Sequence, residues 1–190
     1  MKIVFATNNL NKLSEIKLLL QGRVEVLSLK DINCLEELPE TNPTINDNAL
    51  QKARYVFENY GFNCFADDTG LEVDSLGGEP GVFSARYAGI PSNAKDNINK
   101  VLAKLVGKKN RLAKFRTVIA LIIEGNEITF EGKCDGVITH KAKGKEGFGY
   151  DPIFIPSGHK ETFAEMTKNK KGEISHRGKA VRKLVDFLNK

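Results

Sequence analysis

The sequence predicts an α/β fold with a mixed β-sheet, on three observations. Strand-like and helix-like runs alternate along the 190 residues. Two β-rich runs are joined by Gly125-Asn126, which predicts an antiparallel hairpin beside strands that alternate with helices. No low-complexity tract, long linker or internal repeat interrupts the pattern.

The elements follow in chain order. Lys2–Ala6 reads as a strand, and Thr7-Asn8-Asn9 cuts its apolar run too early for a signal peptide. Asn11–Gln21 carries Leu13, Ile16, Leu18 and Leu20 at roughly helical spacing, with Asn8, Asn9 or Asn11 as N-cap and Gly22 as stop. Val24–Leu27 is a second short strand, and Asp31–Asn46 a polar, acidic loop with Pro39 and Pro43. Asp47–Tyr60 is an amphipathic helix, with Ala49, Leu50, Ala53, Val56, Phe57 and Tyr60 on one face and Gly61 after it. Phe62–Ala66 and Leu71–Val73 read as strands flanking Asp67-Asp68-Thr69-Gly70. A helix over Ala94–Val106 precedes the β-rich runs Phe115–Glu124 and Glu127–Lys133, and Gly136–Thr139 adds a strand. Lys141–Gly149 is a Lys/Gly-rich loop, and Ser175–Leu188 closes the chain as a helix.

Composition bounds the rest. A chain of this length forms one domain, here with two lobes, and buries about 70% of its unfolded surface without a staple. Hydrophobic residues are 41% and charged residues 28%, which excludes a disordered or collagen-like chain. No run approaches a membrane span, so a cytoplasmic protein is expected. Cys34, Cys64 and Cys134 are odd in number and form no C-x-x-C pair, against both a disulfide framework and a zinc site. The net charge of +5 suits an anionic partner without demanding one.

Four segments carry candidate chemistry. Thr7-Asn8-Asn9-Leu10-Asn11-Lys12 forms a strand-to-helix turn, where free N–H groups and the helix dipole favour an anion; it is not a Walker A loop. An Asn that simply caps the helix is the alternative. Asp67-Asp68 places adjacent carboxylates after an apolar strand, a costly arrangement unless a cation such as Mg²⁺ offsets it. A solvated Asp-rich turn is the alternative. Glu40, in the acidic loop, can complete a metal site, and Asn48 and Lys52, one helical turn apart, can face one ligand. In the last segment, Gly147-Phe148-Gly149-Tyr150-Asp151-Pro152, the Lys168–Lys171 run and Ser175-His176-Arg177-Gly178 offer a stacking ring, donors and acceptors. A solvated face for the Lys run, and an N-cap role for Ser175, are the alternatives.

Taken together these segments resemble the inosine triphosphate pyrophosphatase family nearly end to end. The likeness runs from Phe5-Ala6-Thr7-Asn8-Asn9-Leu10-Asn11-Lys12 through Phe65-Ala66-Asp67-Asp68-Thr69-Gly70-Leu71, Leu76-Gly77-Gly78-Glu79-Pro80-Gly81, Ser84-Ala85-Arg86-Tyr87 and Gly147-Phe148-Gly149-Tyr150-Asp151-Pro152 to Ser175-His176-Arg177. Six segments in the family's order make a specific signal.

The resemblance implies a homodimer of elongated mixed α/β subunits, each with a central nucleotide cleft between two lobes. It implies magnesium-dependent hydrolysis of non-standard purine nucleoside triphosphates (ITP, dITP and XTP) to the monophosphate and pyrophosphate. Thr7, Asn8, Asn9, Leu10, Asn11 and Lys12 would bind the triphosphate. Glu40 and Asp68 would hold Mg²⁺ with Asp67 close by, and Asp68 would be the general base. Thr69, Phe148, Gly149, Tyr150, Asp151, Lys171, His176 and Arg177 would bind substrate, with Lys52 adding positive charge. Asn42 stands where the family often has Gly; because Asn tolerates a left-handed backbone, the loop is expected to survive. The other readings are a nucleotide pyrophosphatase acting on other modified nucleotides, and a non-catalytic nucleotide binder with a basic surface.

Overall fold

A computed structural model of the chain describes residues 2–20 and 24–189. Its elements are β1 (Lys2–Phe5), α1 (Leu10–Leu19), β2 (Glu25–Leu27), α2 (Ile45–Tyr60), β3 (Cys64–Val73), β4 (Pro80–Gly81), α3 (Ala94–Lys104), β5 (Leu112–Ile123), β6 (Asn126–Ile138), β7 (Phe154–Pro156), α4 (Lys168–Ile174) and α5 (His176–Leu188). The strands are ordered β2-β1-β3-β5-β6-β7, with β4 paired to β3 off that path. β1 pairs in parallel with β2 and β3, whereas β3–β4 and β6–β7 are antiparallel, so the sheet is mixed as expected. Among the described residues no helix is long and apolar enough to cross a membrane.

The chain divides into two compact units, the first built from Met1–Asp68, Thr117–Gly132 and Arg177–Lys190, the second from Thr69–Arg116 and Lys133–His176. In the first, β1 meets β3 in the register Val4 to Cys64 and Phe5 to Phe65. Strand side chains alternate between faces. Ile3, Phe5 and Phe65 therefore share one face, where they pack against Ile16 and Leu20 from the α1 side and Ala180, Val181, Leu184 and Val185 of α5. The Phe5 and Phe65 rings stack at 4.7 Å. The opposite face of β3 lies against α2, where the Cys64 thiol donates to the Ala53 carbonyl at 3.2 Å.

In the second unit, Phe115, Phe154 and Phe163 form an aromatic core with Leu71, Val73, Ile98 and Val101. Strand β6 pairs with β7 in the register Gly136 to Pro156. Gly136 is required there: a Cβ would stand 2.3 Å from the Ile155 carbonyl and 2.6 Å from the Phe154 ring.

Several expected boundaries move. The expected stop at Gly22 lies outside the described residues. Helix α2 starts at Ile45 rather than Asp47, because the Thr44 side chain caps it by accepting the Asp47 N–H at 3.1 Å. The hairpin loop is Glu124-Gly125, not Gly125-Asn126; both residues have positive φ, as a two-residue type I′ turn requires. The Lys168–Lys171 run and the closing segment form two helices separated by the extended Ser175.

The largest correction concerns Asp67-Asp68-Thr69-Gly70. These residues are not a turn but the middle of one ten-residue strand, β3, and both carboxylates are buried. The flanking apolar residues and the β-branched Thr69 fit a strand, and partners elsewhere in the chain outweigh the low strand propensity of Asp.

Candidate active site

In the first unit the site is built on β3. Period-two alternation sends Asp67 to the face shared by Phe65 and Asp68 to the face shared by Cys64. The two neighbours thus point apart, and their direct ion-pair partners differ.

Asp67 is fully buried. Its carboxylate pairs with Lys12 of α1 at 3.0 Å and with the Nε of Arg177, at the start of α5, at 3.2 Å. Arg177 Nη1 also donates to Glu15, one turn after Lys12 on α1. Burial alone would push the Asp67 carboxyl up, but Lys12, Arg177 and Lys52 outweigh it and hold the group below the usual carboxylate range. Lys12 moves the other way: burial lowers it, and the cations Lys52 and Arg177 act with burial against Asp67 and Asp68. Lys12 is therefore a cation held ready to gain from an added negative charge.

Asp68 lies 3.6 Å from the Nζ of Lys52, on α2, and Lys52 also bonds Glu40. The Asp68 carboxyl is raised, first by burial and then by Glu40 and Asp67, with Lys52 and Lys12 offsetting only part of the effect. Lys52 is lowered by burial, yet Asp68, Glu40 and Asp67 more than compensate, so it stays cationic. A carboxylate whose proton affinity is raised by its surroundings is better suited to act as a general base.

Among the described residues no three His, Cys, Asp or Glu side chains gather into a metal cage. Mg²⁺ is usually held by one or two carboxylates together with substrate phosphates and water. Glu40 and Asp68, two oxygen donors drawn to one ammonium, fit that donor set. Asp67 stands on the other face of the strand and is engaged by Lys12 and Arg177.

At the turn of residues 7–12, the Asn9 side chain caps α1, accepting the N–H groups of Asn11 at 3.0 Å and Lys12 at 3.2 Å. Thr7 Oγ1 accepts the Asn9 N–H at 3.2 Å. Asn8 ties the turn to the acidic loop, donating to the Glu36 carbonyl and accepting the Leu38 N–H. Leu10 and Asn11 are exposed. The capping alternative thus holds for Asn9, and the turn still presents the positive end of a ten-residue helix.

Asn48 is buried and turned toward the loop, accepting the Asn42 N–H at 2.9 Å and donating to the Asn42 carbonyl at 3.2 Å. Asn42 does not adopt the left-handed backbone anticipated for it; among the described residues other than Gly only Asn33 and Glu124 have positive φ. The loop is held by amide hydrogen bonds instead.

The second unit gathers the C-terminal motif. Asp151 and Lys171 are buried and paired at 2.7 Å, so the inward lysine departs from the solvated-face alternative for its run. The Phe148 N–H donates to the same Asp151 oxygen at 2.7 Å, and Lys171 sits 4.9 Å over the half-buried Phe148 ring. Gly147 has φ +73°, and a Cβ there would fall 2.1 Å from Asp151 Oδ2. His176 stacks on Phe115 at 4.4 Å. Tyr150 is a core residue whose hydroxyl donates to the Ser84 carbonyl at 2.8 Å. Gly149 is left-handed, and Thr69 is half-buried on β3.

Sequence reasoning missed Glu15 and Gln51, which hold Arg177 and the Glu40 loop. Helical spacing from Lys12 and Asn48 was the available signal for both.

Known proteins agree with the motif reading. The chain is 55% identical to the dITP/XTP pyrophosphatase of Flavobacterium johnsoniae, covering 99% of this chain and 98% of that one. It is 54% identical to the protein of that name from Christiangramia forsetii over the full length of both. The solved Ham1 proteins of Staphylococcus aureus and Coxiella burnetii superpose with TM-scores of 0.90 and 0.91 at 36% identity, covering all of this chain and 98% of each. Residues 3–187 match the Ham1 family model, and with relatives this similar over their whole length, the chain belongs to the Ham1 family.

Proposed function

We propose that the protein hydrolyses non-standard purine nucleoside triphosphates (dITP, XTP and ITP) to the nucleoside monophosphate and pyrophosphate. The observation that carries this reading is the pair of buried carboxylates on opposite faces of β3, Asp67 neutralised by Lys12 and Arg177, and Asp68 raised beside Glu40 and Lys52. The names of the full-length relatives above point to the same chemistry.

The chain's residues divide the work. Lys12 and Lys52 supply positive charge to the phosphates, and the turn at residues 7–12 contributes the α1 dipole. Asp68 accepts the proton of the attacking water, a role favoured by the raised proton affinity of its carboxylate. Asp67 keeps Lys12 and Arg177 in place and charged. Glu40 and Asp68 would hold Mg²⁺, which when bound with substrate neutralises charge on the phosphate oxygens. Phe148 offers a ring for the purine, and Asp151, Lys171 and His176 set the polar surroundings of the base.

Hypoxanthine and xanthine present a 6-oxo acceptor where adenine presents an amino donor, so protein donors at that edge admit the first two and oppose adenine. Donors of Arg177, His176 or backbone N–H groups would serve at that edge; the Nε and Nη1 of Arg177 also bond Asp67 and Glu15. We further infer action on the cytoplasmic nucleotide pool as a homodimer, in keeping with the family resemblance.

The test is incubation with ITP, dITP, XTP, GTP and ATP, with Mg²⁺ and with a chelator, following monophosphate and pyrophosphate. Selective, chelator-sensitive turnover of the first three supports the reading. Equal turnover of ATP would defeat the base discrimination, and strongly salt-dependent nucleic-acid binding without turnover would favour a non-catalytic binder.

A further inference from the structure

We propose that Gln51, acting with Asn42, is a positioning residue that locks the loop carrying Glu40 and so sets the Glu40 carboxylate for metal; this rests on the function proposed above.

The loop after Pro39 has no regular secondary structure, so its backbone N–H groups need partners outside any ladder. Helix α2 supplies them. The Gln51 Oε1 accepts the Thr41 N–H at 3.0 Å and the Asn42 Nδ2 at 2.9 Å, while Gln51 Nε2 donates to Thr41 Oγ1 at 2.9 Å. Both lone-pair sites of the Gln51 oxygen are thus in use, and the three contacts fix its amide orientation. Asn48, one turn earlier, grips the Asn42 N–H and carbonyl.

Positions 48, 51 and 52 lie along one side of a helix. Lys52 bonds the Glu40 carboxylate directly, while Asn48 and Gln51 hold the two residues that follow Glu40. Glu40 is only half-buried and lies in irregular structure, so contacts on the residues beside it restrain where its carboxylate stands relative to Asp68 and Lys52. Holding the loop in advance removes an ordering cost that would otherwise fall on metal and substrate binding. Asn42 is integral to the lock, because its Nδ2 reaches the oxygen that also receives the Thr41 N–H.

Gln51→Leu is the deciding variant: it keeps a helix-favouring side chain of similar size and removes the amide. Three measurements are made on the full chain: amide hydrogen exchange at Thr41 and Asn42, binding of Mn²⁺ with pyrophosphate, and the Mg²⁺ dependence of XTP turnover. We expect Thr41 exchange to accelerate, Mn²⁺ affinity to fall, and the Mg²⁺ needed for half-maximal rate to rise, the last two by about tenfold or more, as outer-shell partners of metal ligands typically produce. The melting temperature should stay close to that of the wild type. Asn42→Ala should act in the same direction, and the double variant should lose less than the sum of the two, because they share one hydrogen bond.

Unchanged exchange at Thr41 would show that there is no lock. Faster exchange with unaltered Mn²⁺ affinity, or a wild type that binds no Mn²⁺, would show that the lock does not serve a metal. A lowered Mn²⁺ affinity in a protein that hydrolyses no XTP would keep the lock and overturn the proposed function instead.

Discussion

Consecutive strand residues project to opposite faces, so Asp67 and Asp68 meet different cations and acquire different proton affinities. Adjacent carboxylates read as a sequence suggest mutual repulsion, and the cation was expected from solvent. The fold also supplies cations of its own, Lys12, Arg177 and Lys52, residues remote in sequence, and that pairing was not legible from local pattern. Removing one partner of a buried pair strands a charge. Arg177→Met should therefore destabilise the protein by about 3–5 kcal/mol, read from urea unfolding; a loss no larger than that of an exposed pair would show that Lys12 alone suffices. Glu36 offers a test outside the site. The Tyr60 hydroxyl, its own peptide N–H and the Tyr55 hydroxyl hold its carboxyl at about 2 against an ordinary 4.5. A depressed carboxylate contributes stability that is full above its unfolded pKa and lost as pH falls toward the folded one. Glu36→Gln should flatten the loss of stability between pH 5 and pH 2; urea midpoints as steep as those of the wild type would contradict this.

The element scale was the more legible one. Apolar periodicity and capping residues located α1, α2, α3, β1, β2 and β5 to within a few residues, because short-range spacing carries that information, whereas β3 and β6 were each read as two strands and the short β4 and β7 were not read. The reading failed where tertiary partners override propensity. Asp67–Gly70 was read as an interval between two strands but lies inside β3, and α4 was not read as a helix of its own, while Ser175, extended immediately before α5, stands where an N-cap does. In α2, the Thr44 cap explains a start two residues earlier than expected. Thr44→Ala should cost about 1 kcal/mol of stability, measured by chemical denaturation, as the loss of a helix N-cap does. The burial of Cys64 beneath the same helix pushes its thiol up to about 12. It should stay unreactive toward a disulfide reagent at neutral pH until the protein unfolds; rapid labelling of the native protein at Cys64 would show that α2 does not seal that face.

At the scale of the whole molecule, the two compact units each hold part of the six motifs, and two motifs, Phe65–Leu71 and Ser175–Arg177, run across the division between them. The first unit holds the acid–cation cluster on β3 and the loop with Glu40; the second holds the Asp151–Lys171 pair under Phe148. The family was legible because motif order is a property of the sequence itself. Which motif residues face ligand and which brace others was not: Asn9, Asn48 and Tyr150 spend side-chain groups on caps, loops or core. The central claim is that water, with its proton passing to Asp68, attacks the α-phosphorus of a non-standard purine triphosphate. It is tested most directly by turning over XTP with Mg²⁺ in ¹⁸O-labelled water, with wild type and Asp68→Asn side by side. The account predicts label in the monophosphate alone, unlabelled pyrophosphate, and a rate at least about a hundredfold lower in the variant. Label in pyrophosphate, release of orthophosphate, or a variant as fast as the wild type would contradict it.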